Sequence, residues 1–96
     1  MPAFFIADIT IKDPETYKDY LAGFMEIFDR HGGTLRAVSS AQVHTIEGDW
    51  APNGIVLMEF PSLEQALPWK DDPSYQALAK IRHASAETRM ILLEGL

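Results

Sequence analysis

Odd and even positions separate from the third residue onward. In AFFIADITI, Ala3 to Ile11, the apolar set Phe5, Ala7, Ile9 and Ile11 alternates with Phe4, Ile6, Asp8 and Thr10, which predicts a strand with one wholly apolar face. The period then changes: in DPET, Asp13 is placed to cap a helix and Pro14 suits its first turn. Tyr17, Tyr20, Leu21, Phe24 and Phe28 recur at helical spacing until HGG, His31 to Gly33, ends the run, with His31 suited to the helix C-terminus. TLRAV and AQVHTIE follow and read as one strand bulged at Ser39 and Ser40, in which His44 alternates with Gln42 and Ile46. GDWAPNG supplies a turn, and IVLMEF, Ile55 to Phe60, is the most apolar strand, with Val56, Met58 and Phe60 opposed to Ile55, Leu57 and Glu59. PSLEQALPW has the capping-box spacing Ser62 to Gln65, and Pro68 kinks or ends that helix early. Asp72 and Pro73 restart it, placing Tyr75, Leu78, Ala79, Arg82 and Ala86 along one face, and RMILLEGL closes the chain as a last strand.

The predicted order is β-α-β-β-α-β, the ferredoxin-like plan of the α+β class. Right-handed crossovers put two helices on one face of a four-stranded antiparallel sheet, with the first and third strands at its centre. The wholly apolar strand faces meet the helices, which leaves Phe4, Ile6, Ile55 and Leu57 on the opposite face with Asp8, Thr10 and Glu59. An apolar patch of several hundred Å² predicts a partner, and a second copy is the simplest one. The expectation is a homodimer whose sheets pack face to face around a shared interior, a dimeric α+β barrel.

Composition narrows the partners. A chain of 96 residues without a linker-like run reads as one domain, 1–96, and a 47% hydrophobic fraction is enough for a small core. The formal charge of -6 would repel phosphate backbones and anionic membrane surfaces, so neither nucleic acid nor membrane is expected as a partner. No apolar run spans a bilayer and the first residues lack a basic signal region, which predicts a cytoplasmic protein. There is no cysteine, and no histidine cluster has metal-ligand spacing, so no metal and no cofactor are expected.

Few residues offer chemistry. Asp8 and Glu59, from neighbouring central strands, would point into the shared interior, where two carboxylates in apolar surroundings can act as acid and base or else lie at a wet rim. His44, if inward-facing, is the leading single candidate for a general base or ligand donor. Arg82 can neutralise a ligand carboxylate or pair with Glu87 or an acid of the second subunit, while Tyr17 packs at the core or rim with a phenol to offer. Trp50, beside Asp49 in the hairpin turn, must be covered by something and reads as an interface anchor or pocket mouth; Trp69 packs under the second helix. His83 reads as a solvated residue.

The motifs DPETYKDY, HGG, EGDW, LMEFPSLEQAL and DDPSYQALAKIR together resemble an uncharacterised bacterial family, domain of unknown function 1330, of the dimeric α+β barrel superfamily. The resemblance covers nearly the whole chain and implies a ferredoxin-like dimer. That superfamily spans cofactor-free monooxygenases, isomerases, dehydratases, haem-degrading enzymes and ligand sensors, so membership names no single activity. VSSA stands where the family's look suggests a basic residue before a glycine pair, which puts an anion-binding role on that strand in doubt. The functional expectation is a homodimer binding a small apolar or aromatic ligand, with Phe4, Ile6 and Leu57 lining the interior or interface. Two alternatives stand beside it: a cofactor-independent monooxygenase or isomerase using His44, Asp8 and Glu59, and a structural dimer with a filled interior.

Overall fold

The computed structural model describes residues 1–39 and 43–96. The elements run β1 (Ala3–Ile11), α1 (Pro14–Arg30), β2 (Thr34–Ser39), β3 (Ile55–Phe60), α2 (Leu63–Asp71), α3 (Pro73–Ser85) and β4 (Ala86–Glu94). The strands form one sheet in the order β2-β3-β1-β4 with every neighbouring pair antiparallel, so β1 and β3 are central, as the crossover rule requires.

Both Asp-Pro pairs start helices. The Asp13 carboxylate accepts from the Thr16 backbone N–H at 3.2 Å and from the Thr16 hydroxyl at 2.7 Å, and Asp72 accepts from the Ser74 N–H at 2.7 Å. Ser62 makes no such side-chain cap, so the capping box does not form. α2 also continues through Pro68 to Asp71, because the ring is exposed and only one N–H is lost from the helix. At the end of α1, Gly32 adopts φ 82°, and the N–H groups of Gly32 and Gly33 close onto the carbonyls of Asp29 and Phe28.

The second strand differs from its expected shape. A register shift lies between Leu35 and Ala37, the last described β2–β3 pair joins Ser39 to Ile55, and the bulge expected at Ser39 and Ser40 lies partly outside the described residues. β3 begins at Ile55, and on its β1 side the Gly54 carbonyl accepts from Ile9 N–H. Val43 to Glu47 therefore lie outside any strand and are exposed, while Ser40, Ala41 and Gln42 lie outside the described residues.

The apolar faces of β1 and β3 meet the helices. Phe5, Ala7, Met58 and Phe60 are buried against Tyr17, Tyr20, Phe24 and Phe28 of α1 and Ala66 and Trp69 of α2. Trp69, with no exposed surface, centres this aromatic core: its ring lies 4.2 Å from Tyr75, 5.1 Å from Phe5 and 5.4 Å from Phe60, centroid to centroid. The second sheet face carries no helix, which makes the molecule a slab of 37 × 34 × 16 Å.

Candidate functional site

Tyr17, Tyr20 and Phe24 fall three and four residues apart on α1, and Tyr75, Ala79 and Arg82 do the same on α3. Each set therefore forms one stripe, and the stripes face each other and the sheet. Between them and the inner sheet face lies a cavity of about 570 Å³. Its floor is mostly aliphatic, from Ala7 and Ile9 of β1, Leu35 of β2, Val56 and Met58 of β3 and Met90 of β4. Its polar groups come chiefly from the helices: the phenols of Tyr17, Tyr20 and Tyr75 and the guanidinium of Arg82.

Arg82 is only 5% exposed. Its guanidinium carbon sits 5.7 Å from the centre of the Tyr20 ring, a cation–π contact. Glu87, the acid considered for it from the sequence, stands 3.9 Å from Lys12 instead, and no carboxylate among the described residues is within salt-bridge reach of Arg82. Among those residues Arg82 is also the one charged group in the cavity lining.

Two of the phenols are held in their protonated form. Tyr20 and Tyr75 share a hydrogen bond of 2.8 Å, O to O, which ties α1 to α3. Burial pushes the Tyr20 phenol far above its ordinary value, with the Tyr75 neighbour adding to the effect, and burial also raises Tyr17 against the opposing pull of Arg82. Neither phenol is a base at neutral pH. Thr88, opposite Ile9 on the inner face, adds a buried hydroxyl that has no hydrogen-bond partner among the described residues.

The residues expected to handle protons are not gathered here. Asp8 and Glu59 point to the open face of the sheet, away from this cavity, and each is held by an arginine: Asp8 by Arg89 at 3.0 Å and Glu59 by Arg36 at 2.8 Å. Glu59 pairs with Phe4 across β1, so Asp8 lies four residues further along, ~13 Å away at the strand rise. His44 is exposed on the segment after β2, where the loss of strand pairing leaves it no sheet face to occupy. The three do not form a constellation.

Phe4, Ile6 and Leu57 do share the open face, with Ile55 and, from β4, Ile91 and Leu93. Trp50 is 58% exposed and borders a shallower hollow on that side with Asp8, Arg89, Ile55 and Ile91. His83 is exposed, and His31 Nε2 lies 2.7 Å from Asp72, so neither reaches the cavity. Tyr17 and Arg82 are the sequence-derived candidates that the fold brings together. Tyr20 and Tyr75 were legible only as packing residues, although they share the helical stripes of Tyr17 and Arg82, and Thr88 was not singled out in the sequence. No group of three or more metal-ligating side chains occurs among the described residues.

Sheet order and helix placement define a ferredoxin-like α+β protein. The chain belongs to the family described as domain of unknown function (DUF1330), which it matches over residues 2–96. No curated protein matches it. Among solved structures it is similar to the RPA0582 protein of unknown function from Rhodopseudomonas palustris, with TM-score 0.80 and 21% identity over 99% of this chain and 82% of that one. SnoaB of Streptomyces nogalater, a cofactor-independent oxygenase, is similar at TM-score 0.67 and 15% identity, covering 99% and 93% of the two chains. A dabb family protein with a ferredoxin-like fold from Mesorhizobium loti gives TM-score 0.60 and 18% identity, covering 99% and 97%. At these identities the likeness is one of fold.

Proposed function

We propose that this protein binds a small, mainly apolar organic ligand between its helices and the inner face of its sheet, and does so as a homodimer. The observation that supports the binding reading is the cavity itself. Its volume of about 570 Å³ is typical of small-molecule sites, and its aliphatic floor with a few convergent polar groups matches their usual lining. The ligand site of this reading is thus within one subunit, on the opposite side of the sheet from the shared interior expected from the sequence.

An enzymatic reading by analogy with the cofactor-independent oxygenase rests on fold alone. No histidine or carboxylate among the described residues lines the cavity to accept a proton, and the phenols of Tyr17 and Tyr20 are held protonated. Binding is therefore the function these side chains support best. Protein-observed NMR with a library of apolar and aromatic fragments tests it. Amide shifts centred on Tyr17, Val56 and Arg82 are expected; shifts confined to the open sheet face, or none, would overturn the reading.

The open face supports the dimer. Ile91 is 62% exposed and Leu93 43% exposed there, beside Phe4, Ile6, Ile55 and Leu57, and the acids Asp8, Glu59 and Glu87 of that face are paired with Arg89, Arg36 and Lys12. A four-stranded face of this length measures ~19 by ~25 Å, so two copies would bury on the order of 1,000 Å² together, about the threshold for a biological interface before Trp50 and the flanking segments are added. Light scattering is expected to give twice the chain mass for the native protein and a monomer for Ile91→Glu. A monomeric native protein at micromolar concentration would remove the dimer from the proposal.

A further inference from the structure

Arg82 carries the inference furthest. It is 5% exposed as a residue, lines the cavity and has no carboxylate within reach among the described residues, so its charge faces the cavity without its usual partner. The acids closest to that end of α3 are committed elsewhere: Glu87 faces Lys12, and Asp13, whose N–H meets the Ser85 carbonyl, caps α1. The cation–π contact with Tyr20 offsets part of the cost but satisfies none of its N–H groups. Donors line the same cavity: the Tyr17 hydroxyl, the one O–H that the Tyr20–Tyr75 bond leaves over, and the Thr88 hydroxyl, which has no partner among the described residues.

We propose that the ligand is an organic monoanion, a carboxylate with an apolar body, whose carboxylate is bound by Arg82 with the neighbouring phenols while its body lies on Ile9, Leu35, Val56 and Met58. This rests on the reading of the cavity as the ligand site and specifies the chemistry it selects. A guanidinium presents paired N–H donors that match a carboxylate in two parallel bonds, and a water-poor setting strengthens them. One fixed positive charge and no lining acid among the described residues favour a single negative charge over a dianion. The long aliphatic floor favours a hydrocarbon body over a sugar or nucleotide.

Matched ligand pairs test this on the unaltered protein: 3-phenylpropanoate and octanoate, each titrated by NMR against its primary amide. The carboxylates are expected to bind at least about tenfold more tightly than the amides, with shifts centred on Arg82 and Tyr17. Amides binding in the cavity as tightly as the acids would overturn the anion assignment and leave the cavity reading standing. Failure of both acids and amides to shift cavity resonances would overturn both. Arg82→Met, checked for a native amide spectrum, is expected to abolish the preference for the acid while keeping amide binding, and Arg82→Lys to restore part of it. Retention of the full preference in folded Arg82→Met would overturn the assignment of the anion to this side chain.

Discussion

The Tyr20–Tyr75 bond shows how a single polar pair can set the spacing of two helices. Both side chains are buried, so removing one hydroxyl leaves the other without its partner, a loss of ~1–3 kcal/mol for an unsatisfied buried group. Tyr20→Phe alone is expected to destabilise the fold by about that amount. Adding Tyr75→Phe should cost little more, because no orphaned hydroxyl then remains; a urea double-mutant cycle measures the coupling, and additive losses would show that the bond holds nothing. Asp72 is a second residue with more than one role, since it caps α3 and binds both His31 and Arg30 of α1. The His31 hydrogen bond, then the Ser74 N–H and Arg30, hold its carboxyl well below the usual carboxylate range. A folded-state value below the unfolded one, ~3.9, contributes stability that is present above that pH and is lost as pH falls from about 5. Asp72→Asn should lower the urea midpoint at pH 7 and flatten its decline between pH 5 and 3.

At the scale of elements, the turn from α1 into β2 is the tightest constraint. A Cβ on Gly33 would stand 2.5 Å from the Phe28 ring, and that ring has no room to retreat among Phe24, Phe60 and Trp69. Gly33→Ala is therefore expected to cost ~1–3 kcal/mol, a fall in Tm of ~4–8 °C per kcal/mol for a domain of this size. Gly48→Ala meets nothing within 4 Å, carries only the strain of φ 81°, and should fall less. Equal losses in the two variants would mean that steric contact with Phe28 is not the cause. Elements were largely legible in the sequence: the alternation in β1 and β3, the Asp-Pro starts of α1 and α3 and the HGG stop all appear where their local chemistry acts. β2 was not, because the end of a strand depends on its partner, and β3 starts only at Ile55.

For the whole molecule, the two sheet faces have separate roles in the proposed function: the helix-covered face holds the ligand and the open face meets the second copy. Trp50 borders the open face near Asp8 and Arg89, far from the phenols and Arg82. Trp50→Ala is expected to raise the dimer dissociation constant about tenfold or more, as loss of an aromatic anchor does, while leaving ligand affinity unchanged. Sedimentation equilibrium and an NMR titration on the same variant separate the two effects. A loss of ligand affinity with an unchanged dimer would place Trp50 at the cavity instead.

By itself the sequence determined the α+β class, the strand order and which strand face is wholly apolar. These follow from periods of 2 and 3.6 residues and from crossover handedness, all properties of the chain read locally. It also presented Arg82 and Tyr17 as candidates, without placing them in one site. The tertiary structure decided where chemistry gathers. It set Asp8 and Glu59 against Arg89 and Arg36 on the open face, left His44 beyond the last strand pair, and joined Tyr17, Tyr20, Tyr75 and Arg82 in one cavity. The physical reason is that a charge or hydroxyl acquires its role from what it is packed against, and those neighbours are set by helix packing between residues more than fifty positions apart, as in the Tyr20–Tyr75 pair.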